Sequence, residues 1–152
     1  MSVFEQDLRA WLVTDAGIKA SFGASVWPTQ MPQDAPNVGM TFPVVSKVPE
    51  HTTCQGGRKT VAVVKFGVHV KGTDQYAQYY QAKNLIQAVK TVINNTPIGS
   101  FDLVAGGTTV MHMHVVAPGE VDEPYLYQSG KGSGVQTVSL TVQVIYWDEN
   151  SG

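Results

Sequence analysis

Residues 136–147 alternate between apolar and polar side chains almost without interruption. Val138, Leu140, Val142, Val144 and Tyr146 take one parity, and Ser139, Thr141 and Gln143 take the other. A period of two places each set on its own face of an extended strand. Such a strand must join a sheet, and its apolar face must be covered by another layer. Residues 61–71 repeat the pattern, with Ala62, Val64, Phe66, Val68 and Val70 on one face and Lys65, His69 and Lys71 on the other. Residues 40–48 and 109–117 read as further strands. In the last of these Met111, Met113 and Val115 share a face opposite His112, His114 and Val116.

The covering layer is predicted to be helical. Phe4, Leu8, Trp11 and Leu12 recur at helical spacing behind a Ser2-x-x-Glu5 capping box, and Gly17 is expected to end that helix or begin a turn. A second helix is predicted from about Asp74, its cap, to Asn94, where Asn94-Asn95-Thr96-Pro97 stops it. Tyr79, Ala82, Ile86, Val89 and Ile93 form its apolar stripe. Tyr76 and Tyr80 fall off the stripe, either as cover for the core edge or as anchors for a partner. Residues 23–39 read as a proline-rich loop holding a short extended Val26-Trp27 anchor. The order helix, strand, strand, helix, strand, strand predicts an α+β fold. The expected form is a two-layer sandwich, a mainly antiparallel sheet of about four main strands with two helices on one face. A single domain is expected over 1–152, with long loops at 49–60 and 118–134.

The 152 residues are 14% charged, against about 25% in an ordinary globular protein, while 43% are hydrophobic. Low charge with an ordinary apolar content argues against a disordered tail and for surface covered by a partner. Ten Lys and Arg against twelve Asp and Glu give a net charge of -2, which argues against a dedicated nucleic-acid binder. The one cysteine, Cys54, excludes an intrachain disulfide and a Cys-built zinc site, and is read as an inert thiol in a reducing compartment. No signal peptide is expected, and no apolar run approaches the roughly 20 residues of a membrane helix.

Candidates for chemistry are few. His112 and His114 are two apart on a strand and share a face; an adjacent His69 would make a three-imidazole zinc or nickel site. The competing reading is polar residues on an exposed or interfacial sheet face. Glu120, Asp122 and Glu123 read as an acidic loop cluster. The glycines at 106–107 and 130–134 match no phosphate-binding pattern. No residue is assigned to catalysis, and no cofactor is expected.

The layout resembles the tail-completion, or tail-terminator, proteins of long-tailed bacteriophages. The residues that carry the resemblance are the opening helix Phe4–Leu12, the Val26-Trp27-Pro28 step and the segment Met31-Pro-Gln-Asp-Ala-Pro36. With them go the strand Val61–Val70 ahead of a helix starting Thr73-Asp74-Gln75-Tyr76, and the aromatic-ended strand Gly134–Trp147. The long loops and the histidine-bearing strands depart from that layout. The resemblance implies a virion protein that forms a ring, usually of six copies, at the head-proximal end of the tail. Such a ring ends tube growth, joins the head connector and lets DNA pass through its lumen without specific binding. The implied partners are further copies of the chain, the tail-tube protein and a head-connector or head-closure protein, and no membrane. Assembly in the host cytoplasm is implied too. The residues expected to make interactions are Arg58, Lys59, Glu120, Asp122, Glu123, Tyr125 and Tyr127, with the acidic ones repelling DNA phosphates if they line the lumen. Another neck or tail-tube protein, and a His-cluster metal protein or enzyme, are the alternatives.

Overall fold

The computed structural model describes residues 3–32, 36–50, 58–128 and 133–148. Its backbone is built around two long antiparallel strands, β4 (Arg58–Gly72) and β8 (Gly134–Asp148), paired in register along their whole length. β6 (Thr109–Asp122) flanks β8 on its far side. β2 (Val38–Thr41) and β3 (Val44–Glu50) lie end to end along the near side of β4. Three short strands complete the sheet: β1 (Val26–Trp27) beside β2, β5 (Phe101–Asp102) beside β6, and β7 (Leu126–Tyr127) beside β8. Among the described residues the sheet therefore has eight strands rather than four. The extra ones are two-residue pairings or fragments of a predicted strand, too short to show a period. The predicted strand 40–48 is two, interrupted at Phe42–Pro43, where Pro43 contributes a carbonyl to Lys65 N–H but no donor of its own.

Among the described residues three helices, not two, cover one face. The first predicted helix is α1 (Val3–Thr14) followed by α2 (Ala16–Phe22). The break is at Asp15, whose backbone is extended and whose carboxylate accepts the Ile18 N–H at 3.0 Å. Gly17 therefore lies inside α2 rather than ending a helix. Ser2 lies outside the described residues, and Glu5 pairs with Lys47 of β3 at 2.8 Å. α3 (Gln75–Asn94) starts at Asp74, whose side chain accepts the N–H groups of Tyr76 and Ala77.

The core lies between the layers. Ala62, Val64, Phe66, Val68 and Val70 of β4 and Val138 to Tyr146 of β8, at alternate positions, meet Ala82, Ile86, Val89 and Ile93 of α3 and Phe4, Leu8 and Leu12 of α1. Phe4 stacks on Tyr146 with ring centroids 4.2 Å apart. Each large aliphatic or aromatic side chain buried here stabilises the fold by about 1.5–3 kcal/mol. The opposite parity forms the sheet's outer face, which no helix covers among the described residues.

The predicted loops are shorter than expected. β3 and β4 extend into both ends of 49–60, and residues 51–57, Cys54 included, lie outside the described residues. Residues 118–122, expected in a loop, belong to β6. That strand leaves register between Val115, opposite Val142, and Glu120, opposite Leu140. Residues 116–119 make the excursion, with a cis Ala117–Pro118 bond and Gly119 at φ 74°. Proline and glycine in sequence read as a loop, yet the ladder resumes beyond them, as at a large bulge.

Candidate functional site

The three histidines share the outer face but do not converge. His69 stands opposite Thr137 on β8, whereas His112 stands opposite Ile145 and His114 opposite Gln143. Thr137 and Ile145 are about 26 Å apart along an extended strand at ~3.3 Å per residue. Periodicity assigns a face but not a height along it, so the shared face was legible and the separation was not. Among the described residues no group of three His, Cys, Asp or Glu could hold a metal. The three-imidazole site is thus not assembled. His112 and His114 lie against each other, centroids 4.4 Å apart, and His114 Nδ1 is buried without a hydrogen-bond partner among the described residues. Burial, with a smaller contribution from His112, lowers the His114 pKa.

His69 is fully engaged. Its Nε2 lies 2.7 Å from Thr41 Oγ1 and its Nδ1 2.8 Å from Thr137 Oγ1, so the ring ties β2 to β8 across β4. Gly67 makes the fold-back possible, because a Cβ there would sit 3.0 Å from both His69 Nε2 and Thr41 Oγ1. Burial pushes the imidazole down to about 4, against an upward pull from Glu123, so it is neutral at pH 7. The ring divides a trough on the outer face. One cavity of about 350 Å³ is lined by Pro43, Lys65, Glu123, Pro124, Leu126 and Ser139, and a second of about 400 Å³ by Thr29–Pro32, Lys71 and Gln128.

The acidic cluster is split by the sheet. Glu120 and Asp122 stand opposite the inward-facing Leu140 and Val138, so they turn to the helix layer. Lys83 of α3 pairs with both, at 3.0 Å to Asp122, and Lys90 also pairs with Glu120. Tyr79 donates its hydroxyl to Asp122 at 3.2 Å. The two lysines hold the Glu120 carboxyl below the usual range. Glu123 emerges on the other face, pairing with Lys65 at 2.9 Å and accepting from Ser139 Oγ at 3.0 Å. Lys65 chiefly, with Ser139 assisting, lowers its pKa. Each of the three carboxylates is thus met by a lysine, and they form no bare acidic surface. The expectation that they repel phosphates from a lumen is not supported by this arrangement.

Tyr125 and Tyr127 are brought together, rings 4.9 Å apart, and Tyr127 is 75% exposed. Tyr125 donates to Oε1 of the buried Gln78, whose Nε2 donates to the carbonyls of Val70 and Gly134. Gln78 was passed over in sequence because glutamine reads as solvent-facing, although it lies four before Ala82 on the apolar stripe. Arg58 opens β4 opposite Asp148, and Lys59 lies opposite Trp147, both far from the tyrosine pair along the sheet.

Two strand edges stand open. Beyond β3 no strand lies among the described residues, and Val45 and Val48 are 64% and 58% exposed there. On the opposite side β5 pairs only with Thr109 and Val110, and from Met111 onward no strand among the described residues lies along the outer side of β6.

No family model matches the chain, and no curated protein matches it either. A search of solved structures finds similarity to a chain in the virion of a native gene transfer agent particle. This chain shares its fold with a virion protein. The likeness has a TM-score of 0.56 at 10% identity and covers 95% of this chain and 94% of that one.

Proposed function

We propose that this chain is a virion structural protein of the tail-terminator kind. It closes into a ring on the head-proximal end of a phage tail, ends growth of the tube and offers the next surface to a head connector, with no catalytic role. The tail-tube protein and the connector are its partners, and DNA passes the lumen without specific contacts. The observation that carries this reading is the pair of open edges on opposite sides of one sheet. Pro49 bounds the β3 edge and the 116–119 excursion bounds the β6 edge, leaving Val44–Val48 and Met111–Val115, segments of equal length.

A ring needs a heterologous contact, in which one patch of each copy meets a different patch of the next. Opposite edges of one sheet meet that requirement. The pairings β3–β4, β4–β8 and β8–β6 are all antiparallel, so β3 and β6 run in opposite directions. Copies related by a rotation would join them antiparallel, the more stable ladder. A long open edge is otherwise an aggregation hazard, which burial in a closed ring removes. The fold likeness to a virion protein adds support for the setting, and the resemblance of the layout supplies the count of six.

Native mass spectrometry of the whole chain over a concentration series, with negative-stain imaging, tests the reading. Closed single rings that Val45→Lys abolishes are expected. Open filaments would point to a tube protein, and rings unaffected by changes at both edges would overturn the edge-to-edge join.

A further inference from the structure

Each open edge leaves only alternate backbone groups free, and that limits how two edges can meet. Pro43 accepts the Lys65 N–H, so Lys65 turns its backbone groups toward β3. Peptide groups alternate sides along an antiparallel strand, so Val63 and Val61 also face β3, while Val64 and Ala62 face β8. Ser46 and Val48, opposite Val63 and Val61, are therefore engaged by β4, and Lys47 and Pro49 turn their backbone groups to the open side. The same alternation runs on through β8. Val142 and Val144, opposite Val64 and Ala62, face β4, so Gln143 and Ile145 face β6. The Thr137 carbonyl, of the same parity, accepts the Glu123 N–H on that side. His112 and His114 stand opposite Ile145 and Gln143, which leaves Met113 and Val115 turned to the other open side. Side chains obey the same parity. Lys47, opposite Ala62, and Met113, opposite Val144, lie on the helix side, and Ser46, Val48, His112 and His114 lie on the uncovered face.

We infer that the join between copies sets Lys47 of one opposite Met113 of the next, which seats the His112–His114 pair of one copy against Val48 and Ser46 of its neighbour. The inference rests on the ring reading above and adds to it the register and the side chains that fix it. Centring the two equal segments would put Ser46 opposite Met113, but Ser46 turns its backbone to β4 and its side chain to the other face. A slip of one residue removes both conflicts. Lys47 opposite Val115 would instead set Pro49, which has no N–H, against the Met113 carbonyl and run Val45 into the 116–119 excursion. Lys47 opposite Met111 would drive Val48 onto Val110, already paired with Phe101 of β5. In the remaining register Lys47 and Met113 form a hydrogen-bonded pair. It is flanked on the uncovered face by Ser46–His114 and Val48–His112, whose Cα atoms come to about 4.5 Å. Val48 and His112 are exposed in the single chain, and the join covers both. His114 Nδ1 has no hydrogen-bond partner among the described residues. The neighbour's Ser46 hydroxyl supplies one once the ring turns about its Cβ–Cγ bond.

The test uses the full chain in a Cys54→Ser background. Val48→Cys with His112→Cys is expected to link neighbouring copies under mild oxidation, giving a ladder of covalent multimers on a non-reducing gel. Facing positions of a non-hydrogen-bonded pair fall within disulfide range. Within one copy the two positions stand three strand spacings apart, about 14 Å, and cannot link. Ser46→Cys with His112→Cys, and Val48→Cys with His114→Cys, put the thiols two residues out of step. Their Cα atoms would be about 8 Å apart, and no link is expected. Ser46→Ala is expected to weaken each contact about fivefold in a native mass spectrometry concentration series, and Ser46→Thr, which keeps the hydroxyl, to restore it. Rings that link through either out-of-step pair, or through no pair, overturn the register and leave the ring reading standing. Rings as stable with Ser46→Ala as without it overturn the His114 contact. Absence of both rings and links in every variant overturns the register together with the reading beneath it.

Discussion

At the residue scale, His69 and Gln78 show how much of this sheet is tied by single polar side chains. The native imidazole binds its proton only near pH 4, against 6.5 when exposed. Between those values the unfolded chain holds more protons than the native one, so acid favours unfolding. Stability is expected to fall as pH drops from 6.5 to 4, by up to about 3 kcal/mol from this group. Urea melts across that range check it, and His69→Gln, which can still bridge two hydroxyls, is expected to flatten the slope. Gln78 satisfies two backbone carbonyls and the Tyr125 hydroxyl inside the protein. Gln78→Leu strands all three, with an expected cost of about 2–3 kcal/mol and a lower Tm in calorimetry. Helical spacing placed Gln78 on the stripe, but its partners sit far along the chain, at Gly134 and Tyr125, and no local pattern names them.

At the element scale, α3 is secured at its start by Asp74 and along one side by the lysine pair. Asp74→Ala removes the acceptor for two N–H groups and is expected to cost about 1 kcal/mol by chemical denaturation. Lys83→Met leaves Glu120 with Lys90 and Asp122 with the Tyr79 hydroxyl. The expected loss is no more than about 1 kcal/mol, because these groups are partly solvated, and it should shrink in high salt. Helix α3, β4 and β8 were legible from period alone, since each is long and has one buried face. β7 was not, since two residues show no period, whereas Val26-Trp27 reads as a short extended anchor and Phe101-Asp-Leu-Val as a short strand. The acidic residues were misread because Pro118 and Gly119 look like a loop. Once the ladder resumes, parity sends Glu120 and Asp122 to the lysines of α3 and Glu123 to Lys65.

At the scale of the whole molecule, the two open edges and α3 present different kinds of surface. The edges expose backbone groups that no strand meets among the described residues, and α3 exposes Tyr76 and Tyr80. Assembly through the edges is expected to be insensitive to salt, because ladder hydrogen bonds rather than ion pairs would hold it. Ring populations measured by native mass spectrometry from low to high ionic strength check this, and dissociation at high salt would speak for a charge-driven contact instead. The low charge of the whole chain was a sequence signal that pointed to surface met by a partner. It could not say which surface, because exposure depends on what the fold leaves uncovered.

The amino-acid sequence by itself determined the two-layer α+β class, the long strands, the long helix and the apolar faces that meet between the layers. Those properties follow from periods of 2 and 3.6 and from local capping, which are short-range. Only the tertiary structure decided that His69 lies far from His112 and His114, that the acidic cluster is divided between two faces and neutralised, and that β3 and β6 are left as open edges. Each of those depends on register and strand order, which are set by contacts between residues distant in the chain.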